Sequence, residues 1–422
     1  MYNIYNIQCH VHLYFRLHGP IHFLNLNFAD SKISKTMYIK HKVIIAGAGG
    51  IGRAAGLIMA EQPDFDCEIF LGDIKFSIAQ EAADWIQKGA SSLVHIETFE
   101  LFPNGLSEHM EYVFKSGDIL LDCLPGSEAP RMAQFAMQFK LHYVNLTEYV
   151  QETQEILQLT KDAETGFILQ SGLAPGYVNV LANHIYKEFI SEFGDHKVER
   201  ISMKVGALTK MTKYPHFYGF TWSPIGVATE YVKDAIVIKD GIKTSIPSLS
   251  ETTSLIIDGI QYEDDYTSGG AADLPDYFSG RVRFLDYKTI RYPGHYHWVR
   301  SQISEIEKKE NKEVALLQKM MEQIPLAEDD VIILYISVLG YDAENVLRIK
   351  EHSLRIEPTF VGSHKLKAIQ AATAAPMLEA ARMLLTGKYK GPMLQSQINT
   401  QEFLQGSFVQ MIFNRKKQRE FV

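Results

Sequence analysis

Cysteine is scarce: Cys9, Cys67 and Cys123 are the only three in 422 residues, and no C-x-x-C pairs them. That excludes a disulfide framework and a structural zinc, and a cytoplasmic setting is expected. No apolar run is long enough to span a bilayer, so no membrane partner is expected. Basic residues are outnumbered, 42 Lys and Arg against 50 Asp and Glu, and the net charge of −8 argues against a nucleic-acid partner. The histidines are scattered, without H-E-x-x-H or a Cys/His spacing, so no metal site is read. Neither a P-loop nor G-x-S-x-G occurs. Hydrophobic residues still make up 46%, enough for a large core, and the length suggests two or three domains.

The first 36 residues are unlike the rest. They are rich in Asn, His, Tyr and Phe, without a helical or strand period and without the parts of a signal peptide. The reading is a poorly ordered or mis-annotated extension, with the functional start at Met37.

What organises the chain is Lys42-Val43-Ile44-Ile45-Ala46-Gly47-Ala48-Gly49-Gly50-Ile51-Gly52. A short buried strand runs into G-x-G-x-x-G and then into a helix. Gly47 allows the tight turn. Gly49 lets a pyrophosphate approach the backbone, and Gly52 lets the helix pack on the strand. The free amides of the helix start, at Gly50 and Ile51, face the phosphates with the positive end of the helix dipole. A second apolar run, Cys67–Gly72, ends at Asp73, where a carboxylate binds the ribose 2′-hydroxyl of NAD and repels a 2′-phosphate. Lys75 nearby softens that rejection, so NADP stays possible. A helix-capping role for Asp73 also stays open.

From Met37 to about Asn183 strands and helices alternate, and the strands are continuously apolar. That pattern predicts an α/β architecture: an N-terminal Rossmann doubly wound parallel sheet over residues 37–190. Beyond Gly194 several strands alternate apolar with polar residues, with two helices of note, Pro224–Val232 and one near Ser301–Gln323. They predict a second, α+β domain on a mixed sheet over 195–360. The alanine-rich stretch Lys365–Thr386 predicts a helix that packs back on the first domain, within a return segment 361–413.

Ligands of a doubly wound sheet bind beyond the carboxyl ends of its strands. Those ends carry Leu124-Pro125-Gly126, then Asn145-Leu146-Thr147-Glu148-Tyr149, then Ser171-Gly172-Leu173-Ala174-Pro175-Gly176, with Asn179 one turn into the next helix. All three loops are expected to face the nicotinamide and the reacting carbon. Glu148 reads equally as a helix cap.

Together these motifs resemble the saccharopine dehydrogenase family, including its lysine 6-dehydrogenase relatives. The likeness continues through Thr221-Trp222-Ser223-Pro224, Thr267-Ser268-Gly269-Gly270 and Thr289-Ile290-Arg291-Tyr292-Pro293-Gly294-His295, from Met37 to about Lys390. Some members carry a proline-acid motif where this chain has Gly391-Pro392-Met393-Leu394-Gln395. The resemblance implies hydride transfer between NAD(P) and the C–N carbon of an amino-acid amine or imine. It also implies a homodimer, a small amino-acid substrate, and substrate contacts from Asn179, Trp222, Ser268, Gly269, Gly270 and Arg291.

That chemistry needs a proton carrier, because hydride leaves only a carbon whose nitrogen has a free lone pair. His295 and His297 are the first candidates and Glu148 the next. Arg291 offers a two-pronged donor to a substrate carboxylate. Each histidine also reads as a hydrogen-bonded structural residue, and Arg291 as the partner of a protein carboxylate. Saccharopine and lysine head the expected substrates, and a carboxynorspermidine- or homospermidine-type imine follows. A non-catalytic NAD-binding regulator is the competing class.

Overall fold

β1 (His41–Ala46) carries four fully buried side chains, Val43 to Ala46, and delivers the chain straight into the glycine turn. The structure is a computed structural model, and it describes residues 40–414 apart from 149, 195, 196, 211, 307 and 308. The extension 1–36, the start at Met37 and Cys9 lie outside the described residues.

The first half continues with α1 (Gly50–Ala60), β2 (Cys67–Asp73), α2 (Phe76–Gly89), β3 (Ile96–Glu100) and α3 (Glu108–Ser116). β4 (Ile119–Asp122), α4 (Ala129–Phe139), β5 (His142–Asn145), α5 (Val150–Thr160) and β6 (Gly166–Ile168) complete it. The second half opens with α6 (Tyr177–Phe193), β7 (Lys197–Leu208), α7 (Pro224–Val232), β8 (Ala235–Lys239), β9 (Ile242–Ile246), β10 (Thr253–Ile257) and β11 (Ile260–Tyr266). It proceeds through α8 (Leu274–Phe278), β12 (Phe284–Arg291), α9 (His295–Glu305), α10 (Lys312–Gln323), β13 (Val331–Tyr341) and β14 (Leu347–Ile356). A hairpin, β15 (Thr359–Val361) and β16 (His364–Leu366), precedes α11 (Ala368–Leu385), β17 (Gly391–Met393), α12 (Thr400–Leu404) and α13 (Ser407–Phe413).

The first sheet runs β17-β6-β5-β4-β1-β2-β3, parallel throughout. The order reverses between β1 and β4, which opens a crevice at their carboxyl ends. The second sheet runs β10-β11-β12-β7-β13-β14, with the β8–β9 hairpin on β12. Only β12 and β7 are parallel there, so the sheet is mixed.

Three expectations shift. The helix beginning at Tyr177, expected in the first domain, lays its buried face on β7, β13 and β14 and so belongs to the mixed sheet. The helix expected near Ser301–Gln323 is two, α9 and α10. The return segment also supplies a seventh strand, β17, to the first sheet. Three residues, with a proline among them, give no readable period.

α11 packs along α1 and over β4, β5 and β6, its small alanines permitting close approach. Its N-terminus is held by Asp330, a fully buried carboxylate just before β13. Oδ1 and Oδ2 accept the amides of Ala368 and Ile369, each at 2.7 Å. The β15–β16 hairpin makes a second tie: the Ser363 amide donates to the Gly89 carbonyl at 2.8 Å, and His364 stacks on Trp85. Asp330→Ala strands the buried Ala368 amide and the part-buried Ile369 amide without acceptors. The expected cost is about 2–3 kcal/mol, read as a lower urea midpoint. A change below about 0.5 kcal/mol would show that water replaces the carboxylate.

Candidate active site

The three glycines of the turn answer to different demands. Gly47 has φ of 101°, and a Cβ there would lie 2.9 Å from the Cys123 carbonyl oxygen. A Cβ on Gly52 would sit 1.9 Å from the Gly47 carbonyl oxygen. Packing forces both. Gly49 is different: a Cβ there would meet no atom within 4 Å. Among the described residues no side chain caps the first amides of α1, and its first turn holds no acid. Open space against uncapped amides fits the pyrophosphate of a dinucleotide.

Asp73, half-buried, accepts from the Ala48 amide at 3.0 Å and the Lys75 amide at 3.1 Å. It ties the glycine turn to the end of β2, and each oxygen keeps a second lone pair for a ribose hydroxyl. The Leu124-Pro125-Gly126 loop is fixed by a residue that sequence reading passed over. Asp122 accepts from the Leu124 amide at 3.0 Å and from the Tyr143 hydroxyl at 2.8 Å, and burial pushes its pKa up to about 7. An acid ending an otherwise apolar strand was the available signal.

A cleft of about 770 Å³ runs between the two sheets. On the first-sheet side it is lined by Gly50, Ile51, Leu124, Pro125 and Gly126, then by Thr147 and Glu148, then by Gly172, Leu173, Ala174 and Pro175. From the other side come Trp222, Ser268, Gly270 and Arg291, together with Glu230. The first turn of α11 also reaches it, through Lys367 and Gln370, and the Gln370 side-chain amide lies 3.3 Å from the Gly50 carbonyl. Gly269 sits behind this lining with φ of 89°, where a Cβ would touch Glu148 Cβ at 3.4 Å.

Three expected residues are placed elsewhere. Asn179 is fully buried: Oδ1 accepts the Gly176 amide at 2.8 Å and Nδ2 donates to the Gly270 carbonyl at 2.9 Å. It binds two cleft loops to each other rather than lining the cleft. His295 starts α9, fully buried behind the cleft wall, with Nδ1 2.6 Å from the His216 carbonyl oxygen and Nε2 3.0 Å from the Tyr231 hydroxyl. Burial, then the charge of Arg291, lowers its pKa to about 3. An imidazole that stays neutral through the working range does not serve as the expected base. His297, two residues on, is exposed and does not line the cleft.

Arg291 reaches the cleft floor with its charge already matched. Its Nη2 lies 2.6 Å from Glu230 Oε1, its Nε donates to the Tyr231 hydroxyl at 2.6 Å, and its Nη1 to the Ile290 carbonyl at 3.0 Å. The reading of Arg291 as partner of a protein carboxylate is the one observed. Glu230 was missed, although an acid on the otherwise apolar helix Pro224–Val232 marks it. Burial raises the Glu230 pKa to about 7 against the pull of Arg291. Glu148 is raised further, to about 8, by burial and then by the Glu230 charge, with Lys233 opposing.

Set against known proteins, residues 43–169 match the model of the saccharopine dehydrogenase NADP binding domain and residues 172–406 that of the saccharopine dehydrogenase C-terminal domain. The chain belongs to the saccharopine dehydrogenase family and is an NAD(P)-binding oxidoreductase. Among solved structures it is similar to apo saccharopine dehydrogenase (L-Glu forming) from Saccharomyces cerevisiae, at 15% identity and a TM-score of 0.66 over 86% of this chain and 96% of that one. It is also similar to the homospermidine synthase of Legionella pneumophila in complex with NAD, at 14% identity and a TM-score of 0.61 over 89% and 90%. At such identities the likeness is one of fold.

Gly49→Ala places a methyl in the open space and leaves the packing untouched. The expected outcome is an unchanged melting temperature with NAD affinity lowered about 10-fold or more, by fluorescence titration. Full affinity in the variant would remove the pyrophosphate from this turn.

Proposed function

We propose that this chain transfers hydride between NAD and the carbon of a C–N bond in an amino-acid amine or its imine, of the saccharopine or lysine type. One observation carries the reading. A cleft carboxyl, Glu148, has its pKa raised to about 8 and lies between the loops that end the first sheet and the floor of the second. Bound in the cleft, the nicotinamide supplies the hydride acceptor or donor. What the protein adds is proton management. Above a pH of about 8 Glu148 is a carboxylate that takes the proton of a substrate ammonium, freeing the nitrogen lone pair. Below it Glu148 is an acid that returns the proton to nitrogen when the imine is reduced. Trp222 and Tyr287 line the same space and limit water there.

The preference for NAD rests on Asp73, whose charge opposes a 2′-phosphate. Asp73→Ser is expected to weaken NAD by about 10-fold and to improve NADP. Unchanged discrimination between the two would remove Asp73 from that role.

A second reading has its own observation. Glu230 already neutralises Arg291, and Glu148 adds another carboxyl, so carboxyls outnumber cations among these three residues of the floor. That favours a substrate with a second amine, of the polyamine-imine type. Assaying lysine, saccharopine and diamines for NAD reduction separates the two. NAD binding without turnover of any would instead favour a regulatory NAD-binding protein.

For the substrate that is turned over, Glu148→Gln keeps the shape but carries no proton. The kcat for oxidation is expected to fall by about 10²-fold, and its rise through about pH 8 to flatten. An unaltered pH profile would move the proton step to another group.

A further inference from the structure

We infer that Tyr231 and His295 form a one-way hydrogen-bond relay behind the cleft, positioning Arg291 against Glu230. The inference rests on the reading of this cleft as the substrate site. Its links are fixed by valence. The Arg291 Nε–H can only donate, and it donates to the Tyr231 hydroxyl at 2.6 Å. That hydroxyl has one hydrogen, and His295 Nε2 lies 3.0 Å away. The hydrogen goes to Nε2, which must be bare. Nδ1 therefore holds the ring proton and donates to the His216 carbonyl, an obligate acceptor, at 2.6 Å.

A donor-only guanidinium at one end and an acceptor-only carbonyl at the other set every direction between them. Arg291, Tyr231 and His295 are each at most 2% exposed, so water does not offer alternatives. A second proton on His295 would force Tyr231 to accept two hydrogens and strand its own. The groups packed around His295 are Arg291 from β12, Tyr231 from α7, His216 and Tyr218 from the segment before α7, and Tyr296 and Trp298 from α9. None of these is a carboxylic acid, and Glu230 is engaged by Arg291. The guanidinium is also held over the Tyr218 ring at 4.8 Å. With Nε anchored from behind, Nη2 stays aimed at Glu230 on the floor. Tyr231 and His295 are positioning residues and touch no reacting atom.

The test compares three variants. Gln carries an acceptor and a donor in one planar group, as the neutral imidazole does, whereas Met fills the volume with neither. His295→Gln is expected to keep KM and kcat within about 3-fold of wild type, while His295→Met and Tyr231→Phe raise the amine KM about 10-fold or more, with kcat changing less and NAD affinity constant. A second readout needs no substrate. With ¹⁵N-labelled histidine, the signal missing from His295→Gln should show a protonated Nδ1 and a bare Nε2 from pH 5 to pH 8. His295→Gln as impaired as His295→Met, or a His295 that titrates in that range, overturns the relay. If no amine is turned over but the nitrogen signature holds, the substrate reading fails and the relay stands.

Discussion

A guanidinium buried to 1% exposure is tolerable only beside a matching carboxylate, and Arg291 on Glu230 meets that condition at 2.6 Å. Removing either partner from such a pair typically costs about 3–5 kcal/mol, because the survivor is left charged and dry. Much of the second half is arranged around this constraint. Tyr218 and Tyr231 offer ring faces to the guanidinium at 4.8 and 5.5 Å. The neighbouring His295 is kept neutral by burial and by the same positive charge. Across the cleft, the Glu230 charge helps hold the Glu148 carboxyl above its ordinary range.

The cofactor half depends on a different economy, that of close backbone approach. Gly47 and Gly52 are pressed against carbonyl oxygens, so the turn has one shape. Asp73 and Asp122 each use a carboxylate on loop amides, fixing two of the strand-end loops before any ligand arrives. α11 then links the halves. Asp330 anchors its first amides beside β13 while Gln370 reaches the carbonyl of Gly50. Closure of the cleft and placement of the glycine turn therefore share one helix.

Legibility in the sequence followed the range of the interactions. The glycine turn, the place of Asp73 at the end of β2 and the three strand-end loops were readable because their geometry is local: a strand and a turn within a dozen residues. The doubly wound sheet was readable because its strands are apolar on both faces. His295 was misread because a titratable side chain near a Pro-Gly turn looks identical whether it faces a cleft or a core. Only Tyr231 and His216, 64 and 79 residues away in sequence, decide which. Asn179 was misread for the same reason, its partner Gly270 lying 91 residues on. The alternatives in which Arg291 pairs with a protein carboxylate and the histidine is structural follow from long-range contacts that no local pattern encodes. The placement of α6 on the second sheet is another such case, since an amphipathic face does not name its partner.

Glu148 and Glu230 are both raised by burial, but only Glu230 is pulled back toward the charged form by a guanidinium. Protonating Glu230 would leave Arg291 buried without a counter-charge, so that proton is opposed by the whole cost of an unpaired guanidinium. Glu148 carries no such obligation. Its nearest charges are Glu230, which favours the protonated form, and Lys233, which opposes it. An arriving ammonium acts on Glu148 as Arg291 acts on Glu230: it stabilises the carboxylate and makes the substrate's own proton harder to remove. Deprotonation of the amine is therefore easiest when the pair is dry and Glu148 begins above the usual carboxylate range, as it does here. The fixed ion pair and the mobile proton are thus two uses of one buried carboxyl chemistry, separated by the presence or absence of a guanidinium.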